Sequence, residues 1–256
     1  MRKSTIMAVA LVCAPLLQAF AAEGGEGPLD WQGWKAGNEV ANLASLQRGA
    51  RNFANYCAGC HSMKYLRYSR VATDLHIPSE QLKAYLLPDG AKPADYMTAS
   101  LDPADGVAWF GKEPPDLSLI ARSRGPDKIY RFLKTFYLDP SQPTRTNNLV
   151  LANPAMPAVL SDLEGVKAAV FRNVEVMVDG KPVVEKRFDH FKTVVPGQMS
   201  APQFDAFVRD TVNFLDYAGE PTQVARRSIG VWVVLFMLVF TWMAWLLKKE
   251  YWKDVH

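Results

Sequence analysis

The longest uncharged apolar stretch lies near the C-terminal end of the chain, from Ile229 to Leu247. As an α-helix it would reach roughly 28 Å, about the thickness of the hydrocarbon core of a bilayer. Pairs of basic residues flank it on both sides, and tryptophan and tyrosine side chains cluster toward its end, as is typical of membrane interfaces. The pattern predicts a transmembrane helix over residues 229–247 and a tail over residues 248–256.

A shorter apolar run lies near the N-terminal end. Residues 6–20 follow two basic residues near the start of the chain, and the small-residue pattern AFA lies at residues 19–21. The run is short for a membrane span, and a proline and a glutamine interrupt it. It predicts a secretory signal peptide over residues 1–21. Because both flanks of the C-terminal span are basic, the signal peptide decides the orientation. It places residues 22–225 outside the cytoplasm and the tail inside.

Between the two apolar segments, hydrophobic positions recur with the period of amphipathic helices. One such helix is predicted around residues 43–53. A second, "DKIYRFLKTFYL", has Asp127 as a plausible N-cap, and its apolar face extends to Phe136. A third, "SAPQFDAFVRDTVNFLDYAG", has Ser200 as N-cap and ends near Gly219. The stretch "VEVMVDGKPVV" alternates around an Asp-Gly pair and predicts a β-hairpin.

The region between the apolar segments is long enough for one sizeable domain. The whole chain has a formal net charge of +3 at pH 7, and that excess belongs to the flanks of the two apolar segments. A neutral exported domain gives no indication of nucleic-acid binding.

The sequence "NYCAGCHSMKYL" contains the candidate chemistry: Cys57, Cys60 and His61. A redox-active CxxC normally lies at a helix N-terminus after a strand, but here a predicted helix precedes it. A zinc site needs four ligands, and the remaining histidines form no second paired motif. C-x-x-C-H is the attachment pattern of a c-type haem, in which both thiols bind the porphyrin and the histidine binds the iron. Because the motif occurs once, the sequence predicts one covalently attached haem.

The sixth iron ligand of an electron carrier is commonly a methionine on a distant loop. Met63 is too close to His61 to reach the opposite face, Met177 lies in the predicted hairpin, and the surroundings of Met97 carry no distinguishing feature. Two candidates remain. Met156 lies in the proline-stiffened stretch "LANPAMPAVL", and Met199 lies just before the third helix. The pattern favours Met156 and leaves Met199 open.

Four segments together resemble one known family. They are "RGARNFANYCAGCHSMKYLRY", "PPDLSLIARSRG", "NPAMPAVL" and "MSAPQFDAFVRDTVNFLDYAGEP", followed by a single C-terminal span. In this order they resemble the cytochrome c1 family, bacterial type, the haem subunits of the quinol–cytochrome c reductase (cytochrome bc1) complex. The resemblance covers nearly all of the chain after the predicted signal peptide. It implies a mainly α fold: a cytochrome c-like haem domain with long insertions and a small β-hairpin, plus one C-terminal transmembrane helix.

The resemblance also implies roles for individual residues. Cys57 and Cys60 form the thioethers, His61 is the proximal ligand of the iron, and Met156 is the distal ligand in preference to Met199.

Four further residues are implied to contact the haem. Arg124 and Tyr130 bind a propionate, for which a guanidinium provides a charge-assisted donor. Pro114 and Pro115 line the haem near His61. A proline carbonyl at that place could accept the Nδ1–H of the imidazole and fix its tautomer.

The function implied is outer-sphere electron transfer without a substrate-converting site of its own. Electrons arrive from the Rieske iron–sulfur protein, in a complex with cytochrome b, and leave to a soluble or membrane-anchored cytochrome c. The haem domain would lie on the periplasmic side of a bacterial inner membrane, anchored in the lipid bilayer by a single span. Three other classes remain: an anchored cytochrome c that feeds a terminal oxidase directly, a haem enzyme or sensor with an open axial position, and a thiol oxidoreductase.

Overall fold

The structure is a computed structural model that describes residues 30–178 and 181–254. The predicted signal peptide over residues 1–21 lies outside these ranges. Within them the chain forms nine α-helices. They are α1 (Leu43–Tyr56), α2 (Tyr68–Asp74), α3 (Ser79–Tyr85), α4 (Pro103–Phe110), α5 (Ile120–Arg124), α6 (Pro126–Lys134), α7 (Ser161–Glu164), α8 (Ala201–Gly219) and α9 (Gln223–Tyr251).

The strands pair into three antiparallel two-stranded sheets. They are β1 (Met63–Arg67) with β2 (Tyr96–Met97), β3 (Phe136–Leu138) with β4 (Thr146–Asn148), and β5 (Gly165–Val178) with β6 (Lys181–Pro196). The last pair is the predicted hairpin, and it is much longer than the stretch that predicted it. The Asp-Gly pair at residues 179–180 lies outside the described ranges.

The core of the region before α9 is built around the crossing of α1 and α8. The side chain of Asn42 caps α1 by accepting the N–H of Ser45 at 3.1 Å, and the predicted apolar face of α1 is buried. The rings of Phe53 and Phe214 pack with their centroids 5.8 Å apart. A Cβ on Gly49 would overlap the backbone of Asp210, so the two helices approach as closely as a glycine permits.

α8 begins and ends where the sequence predicts. Ser200 is its N-cap, and the Gln203 side chain accepts the backbone N–H of Ser200 at 2.9 Å, as in a capping box. Its last residue is Gly219. These predictions are confirmed.

The predicted start of α6 is wrong. The helix begins at Pro126, whose fixed φ and missing N–H suit a first helical position, so Asp127 lies inside the first turn. The Asp127 carboxylate instead accepts the N–H of Ala36 at 2.8 Å and pairs with Lys35 at 3.1 Å. The helix ends at Lys134, and Phe136 belongs to β3.

The predicted C-terminal span is part of the longer helix α9. It is the one helix within residues 30–178 and 181–254 that is long and apolar enough to cross a membrane, with a mean hydropathy of 2.2 over its best window. None of its residues is buried against the rest of the chain.

Candidate haem site

The CxxCH motif forms a tight turn directly after α1. Cys57 is the C-cap of the helix, and its N–H donates to the carbonyl of Phe53 at 2.9 Å. The N–H groups of Cys60 and His61 both donate to the carbonyl of Cys57, at 3.1 and 2.8 Å. Neither cysteine forms a disulfide, and Cys57 is half-buried whereas Cys60 is exposed. The turn therefore presents two thiols and an imidazole within five residues.

The surroundings of Cys57 do not suit a reactive thiol. Burial, together with the neighbouring Cys60, raises the pKa of the Cys57 thiol to about 12. Thiol oxidoreductases lower this pKa by placing the cysteine at a helix N-terminus, whereas Cys57 lies at a helix C-terminus. Nor do any three His, Cys, Asp or Glu side chains of the described ranges form a group that could hold a metal ion. The position of Cys57 at a helix C-terminus favours haem attachment over thiol chemistry.

The imidazole of His61 has a defined tautomer. Its Nδ1 lies 2.8 Å from the carbonyl oxygen of Pro115, so the predicted hydrogen bond to a proline carbonyl is present. A carbonyl can only accept, so Nδ1 carries the proton and Nε2 keeps its lone pair. Burial lowers the pKa of His61, against the opposing effects of the Pro115 hydrogen bond and of Asp116. The side chain is therefore favoured in the neutral form that binds a metal.

Residues 115–118, within the motif "PPDLS", run beside residues 61–65 and are hydrogen-bonded to them. The N–H of Leu117 donates to the carbonyl of Ser62 at 2.8 Å. The Asp116 carboxylate accepts the N–H of Lys64 at 2.8 Å. The buried hydroxyl of Ser118 accepts the N–H of Tyr65 at 3.1 Å. Sequence reasoning assigned only the prolines of this motif and missed Asp116 and Ser118. The polar residues after the proline pair were the available signal.

The two prolines themselves differ in environment. Pro115 is exposed and Pro114 is half-buried. A Cβ on Gly106 of α4 would come within 2.8 Å of the Pro114 ring, so this glycine lets α4 lie against the motif. That both prolines line the haem remains a prediction.

Met156 lies in the loop between β4 and α7. It is half-buried and borders a cavity of about 270 Å³ together with Leu133, Phe136 and Leu160. Cys57, Cys60 and His61 are not among the lining residues of this cavity. The role of Met156 as the distal ligand therefore remains a prediction.

The loop that leads to Met156 is braced by two asparagines that the sequence analysis did not single out. The side chain of Asn147 accepts the N–H of Asn153 at 2.8 Å and donates to the Asn153 side chain at 3.1 Å. Asn148 is buried, and its side-chain oxygen accepts the N–H of Val150 at 2.8 Å. The loop is thus held by side chains of β4 as well as by its prolines.

The other methionines have different places. Met63 and Met97 are cross-strand partners in β1 and β2, and both are buried in the core. Met177 is 70% exposed on β5. Met199 is partly buried against the core, and its N–H donates to the carbonyl of Leu163 at 3.0 Å.

The two predicted propionate ligands lie in contrasting environments. Arg124 ends α5 with an exposed side chain. Tyr130 is buried in α6, and its hydroxyl donates to the carboxylate of Asp205 on α8. Lys134 and Arg209 also donate to this hydroxyl, at 2.8 and 3.1 Å. The Tyr130 hydroxyl thus has protein partners, and both propionate contacts remain predictions.

The chain is similar in sequence to known proteins over nearly its whole length. The model of the Cytochrome C1 family matches residues 38–255. Cytochrome c1 of Allochromatium vinosum is 44% identical over 256 residues, which cover 100% of both chains. Cytochrome c1 of Rhodospirillum rubrum is 30% identical over 286 aligned positions, which cover 98% of this chain and 99% of that one. The ammonia monooxygenase gamma subunit of Nitrosomonas europaea is 38% identical over 248 positions, covering 96% and 97%.

Two cysteines outside any disulfide, a histidine whose Nδ1 is hydrogen-bonded to Pro115, and the tight turn that brings them together fit a c-type cytochrome. The chain belongs to the cytochrome c1 family. The resemblance, the mainly α fold class and the cofactor predicted from the sequence are thereby confirmed. The protein carries one covalently bound haem c and is a haem electron-transfer subunit of the bc1 type, complex III.

Proposed function

We propose that this chain accepts electrons from the Rieske iron–sulfur protein and passes them to a soluble or membrane-anchored cytochrome c. It does so within a bacterial respiratory quinol–cytochrome c reductase that also contains cytochrome b. The observation that carries the proposal is the CxxCH turn with its oriented His61, in a chain of the cytochrome c1 family. The bound haem supplies a one-electron couple, so the protein needs no general base or nucleophile.

The residues have distinct tasks in this proposal. Cys57 and Cys60 tether the haem, His61 offers Nε2 to the iron, and the Pro115 carbonyl keeps the imidazole in the correct tautomer. Met156 would supply the second protein ligand of the iron and would thereby exclude external ligands.

Three further residues complete the proposed site. Arg124 and Tyr130 bind a propionate, where the exposed guanidinium of Arg124 gives a charge-assisted hydrogen bond. Pro114 lines the haem beside His61.

The proposed topology follows from the two apolar segments. Residues 1–21 are removed as a signal peptide, and residues 22–225 form the haem domain on the periplasmic side. The span over residues 229–247 anchors the domain in the inner membrane, and residues 248–256 lie in the cytoplasm. Helix α9, long and apolar enough to cross a membrane, supports the single-pass arrangement.

The test is purification of the tagged full-length chain from its native membrane in mild detergent. We expect cytochrome b and a Rieske protein to co-purify, and we expect quinol to reduce the haem of this chain. In a strain without the Rieske protein, quinol should still reduce cytochrome b but no longer this haem. Added ferric cytochrome c should reoxidise it. Co-purification with terminal oxidase subunits in place of cytochrome b would support direct delivery to an oxidase and contradict the proposal.

A further inference from the structure

Asp116 joins the two segments that meet at the imidazole of His61. We propose that Asp116 is a positioning residue: it holds the Pro115 carbonyl on Nδ1 of His61 and thereby sets the orientation and donor strength of this iron ligand. The inference rests on the proposed function, because it takes His61 to be a ligand of the bound haem.

Both oxygens of the Asp116 carboxylate accept hydrogen bonds from backbone N–H groups. One oxygen accepts the N–H of Lys64 at 2.8 Å, and the other accepts the N–H of Ser118 at 2.9 Å. Lys64 lies three residues after His61, and Asp116 directly follows Pro115. The side chain therefore ties the backbone after the ligand to the backbone after the hydrogen-bond acceptor.

The prolines cannot themselves hold residues 115–118 in place beside residues 61–65. Pro114 and Pro115 have no N–H, so neither can donate a backbone hydrogen bond to residues 61–65. Pro115 is also exposed, so packing constrains its carbonyl little. The position of that carbonyl is set by the residues that follow, which are anchored by the Leu117 N–H on the Ser62 carbonyl, by the Asp116 carboxylate and by the buried hydroxyl of Ser118.

The position of the Pro115 carbonyl affects how strongly Nε2 of His61 donates to the iron. A hydrogen bond from Nδ1–H to a carbonyl makes Nε2 a stronger donor, and partners of this kind fix the ring orientation of metal-bound histidines. A stronger donor stabilises ferric over ferrous iron. Loss of the Asp116 anchor should therefore raise the midpoint potential, loosen the imidazole and expose its Nδ1–H to solvent.

The experiment compares four variants of the full-length protein, each checked first for covalent haem by denaturing electrophoresis. Asp116→Ala removes both hydrogen bonds and the charge. Asp116→Asn removes the charge but keeps one acceptor oxygen. Ser118→Ala removes the acceptor for the Tyr65 N–H and keeps the charge. Asp102→Ala is the matched control, because its exposed carboxylate makes the same contact to the N–H two residues on, at 2.8 Å to Ala104, without touching residues 61–65.

Three readouts are measured: the midpoint potential, the electron paramagnetic resonance of the ferric form, and solvent exchange of the His61 Nδ1–H by proton resonance. We expect Asp116→Ala to show the largest upward potential shift, altered g-values and faster exchange. Asp116→Asn should show smaller changes of the same sign. Ser118→Ala should shift the same readouts with the charge intact, and it decides the question if Asp116→Ala does not accumulate. Asp102→Ala should match the wild type.

The inference is overturned if Asp116→Ala and Asp116→Asn shift the potential equally while g-values and exchange remain those of the wild type. Asp116 would then act through its charge alone. Wild-type values for Ser118→Ala in all three readouts would overturn it too. Wild-type protein without covalent haem would instead overturn the proposed function, so the two failures are distinguishable.

Discussion

At the scale of single residues, the site depends on the tautomer of His61 and on the hydrogen bonds of the residues beside it. Burial lowers the pKa of the imidazole, and its Nδ1 lies 2.8 Å from the carbonyl oxygen of Pro115, which assigns the lone pair of the neutral ring to Nε2. The role of His61 and its hydrogen bond to a proline carbonyl could be predicted, because CxxCH and the proline pair are visible in the sequence. The contributions of Asp116 and Ser118 could not be derived from spacing, because their partners lie more than fifty residues away in the chain.

The distal ligand is tested by Met156→Leu, which keeps a similar apolar volume and should cost less than about 1.5 kcal/mol of stability. A thioether favours ferrous iron, so its loss should lower the midpoint potential. The reduced protein should bind carbon monoxide, and the weak long-wavelength band of ferric iron with a methionine ligand should vanish. Optical spectra and a redox titration measure these changes.

Met199→Leu is the matched control, because Met199 is partly buried against the core and was the other candidate. It should leave the spectra and the potential nearly unchanged. A sensitive Met199 together with a silent Met156 would move the ligand to the loop before α8.

At the scale of elements, local periodicity predicted α1 and α8, whose apolar faces are continuous and whose ends carry clear caps. It failed at the start of α6, where a proline at the first position outweighed the acidic residue after it. It gave no sign of the pairing of β1 with β2. Met63 and Met97 meet there across a long stretch of chain, and no turn connects the strands directly.

The closeness of α1 and α8 is tested by Gly49→Ala. In an exposed helix this change would stabilise by up to about 1 kcal/mol. Here the new Cβ would meet the Phe214 Cβ at 2.7 Å and overlap the backbone of α8. Overpacking costs about 1–3 kcal/mol, so we expect a net destabilisation of roughly 1–2 kcal/mol in thermal unfolding. Arg51→Ala, at an exposed position of the same helix, should change the midpoint little. An unchanged or raised midpoint for Gly49→Ala would show that the helices have room to separate.

The ionic contact between α6 and α8 predicts a dependence of stability on pH. Burial raises the pKa of Asp205, but hydrogen bonds from Lys134, Tyr130 and Arg209 outweigh it and lower the pKa to about 2. A depressed pKa stabilises the folded state above the unfolded pKa of about 4, and this contribution is lost as the pH falls toward 2.

Asp205→Asn should therefore lower the free energy of unfolding by about 1 kcal/mol at pH 7, a value reduced for partial exposure of the carboxylate. The difference from the wild type should shrink by pH 3. Urea unfolding at the two pH values measures it, with Glu175→Gln at an exposed position of β5 as control. A deficit that is equal at pH 7 and pH 3 would contradict the ionic contribution.

At the scale of the whole molecule, α9 differs from the other long helices, because no other part of the described chain buries any of its residues. The apolar run over residues 229–247 was sufficient to predict this helix, because a long uncharged apolar stretch leaves a stronger sequence pattern than any single contact. The length of the β5–β6 hairpin was not predictable, because residues 171–177 and 181–187 mix polar and apolar side chains and are largely exposed on both faces.

Cutting the chain after Gly219 tests the independence of the haem domain. α8 is complete at this residue, and α9 begins beyond it. We expect a soluble protein with covalent haem and an optical spectrum like that of the full-length chain in detergent. A truncated protein that cannot hold low-spin haem would show that α9 supports the site and is more than an anchor.

The most direct test of the central claim is a haem stain after denaturing electrophoresis of the wild type beside Cys57→Ala and Cys60→Ala. Thioethers survive boiling in detergent, so the wild-type band should retain its haem. Each single variant should stain weakly or not at all, and the double variant should not stain. A wild-type band without haem, or a double variant that stains as strongly as the wild type, would contradict covalent attachment at Cys57 and Cys60.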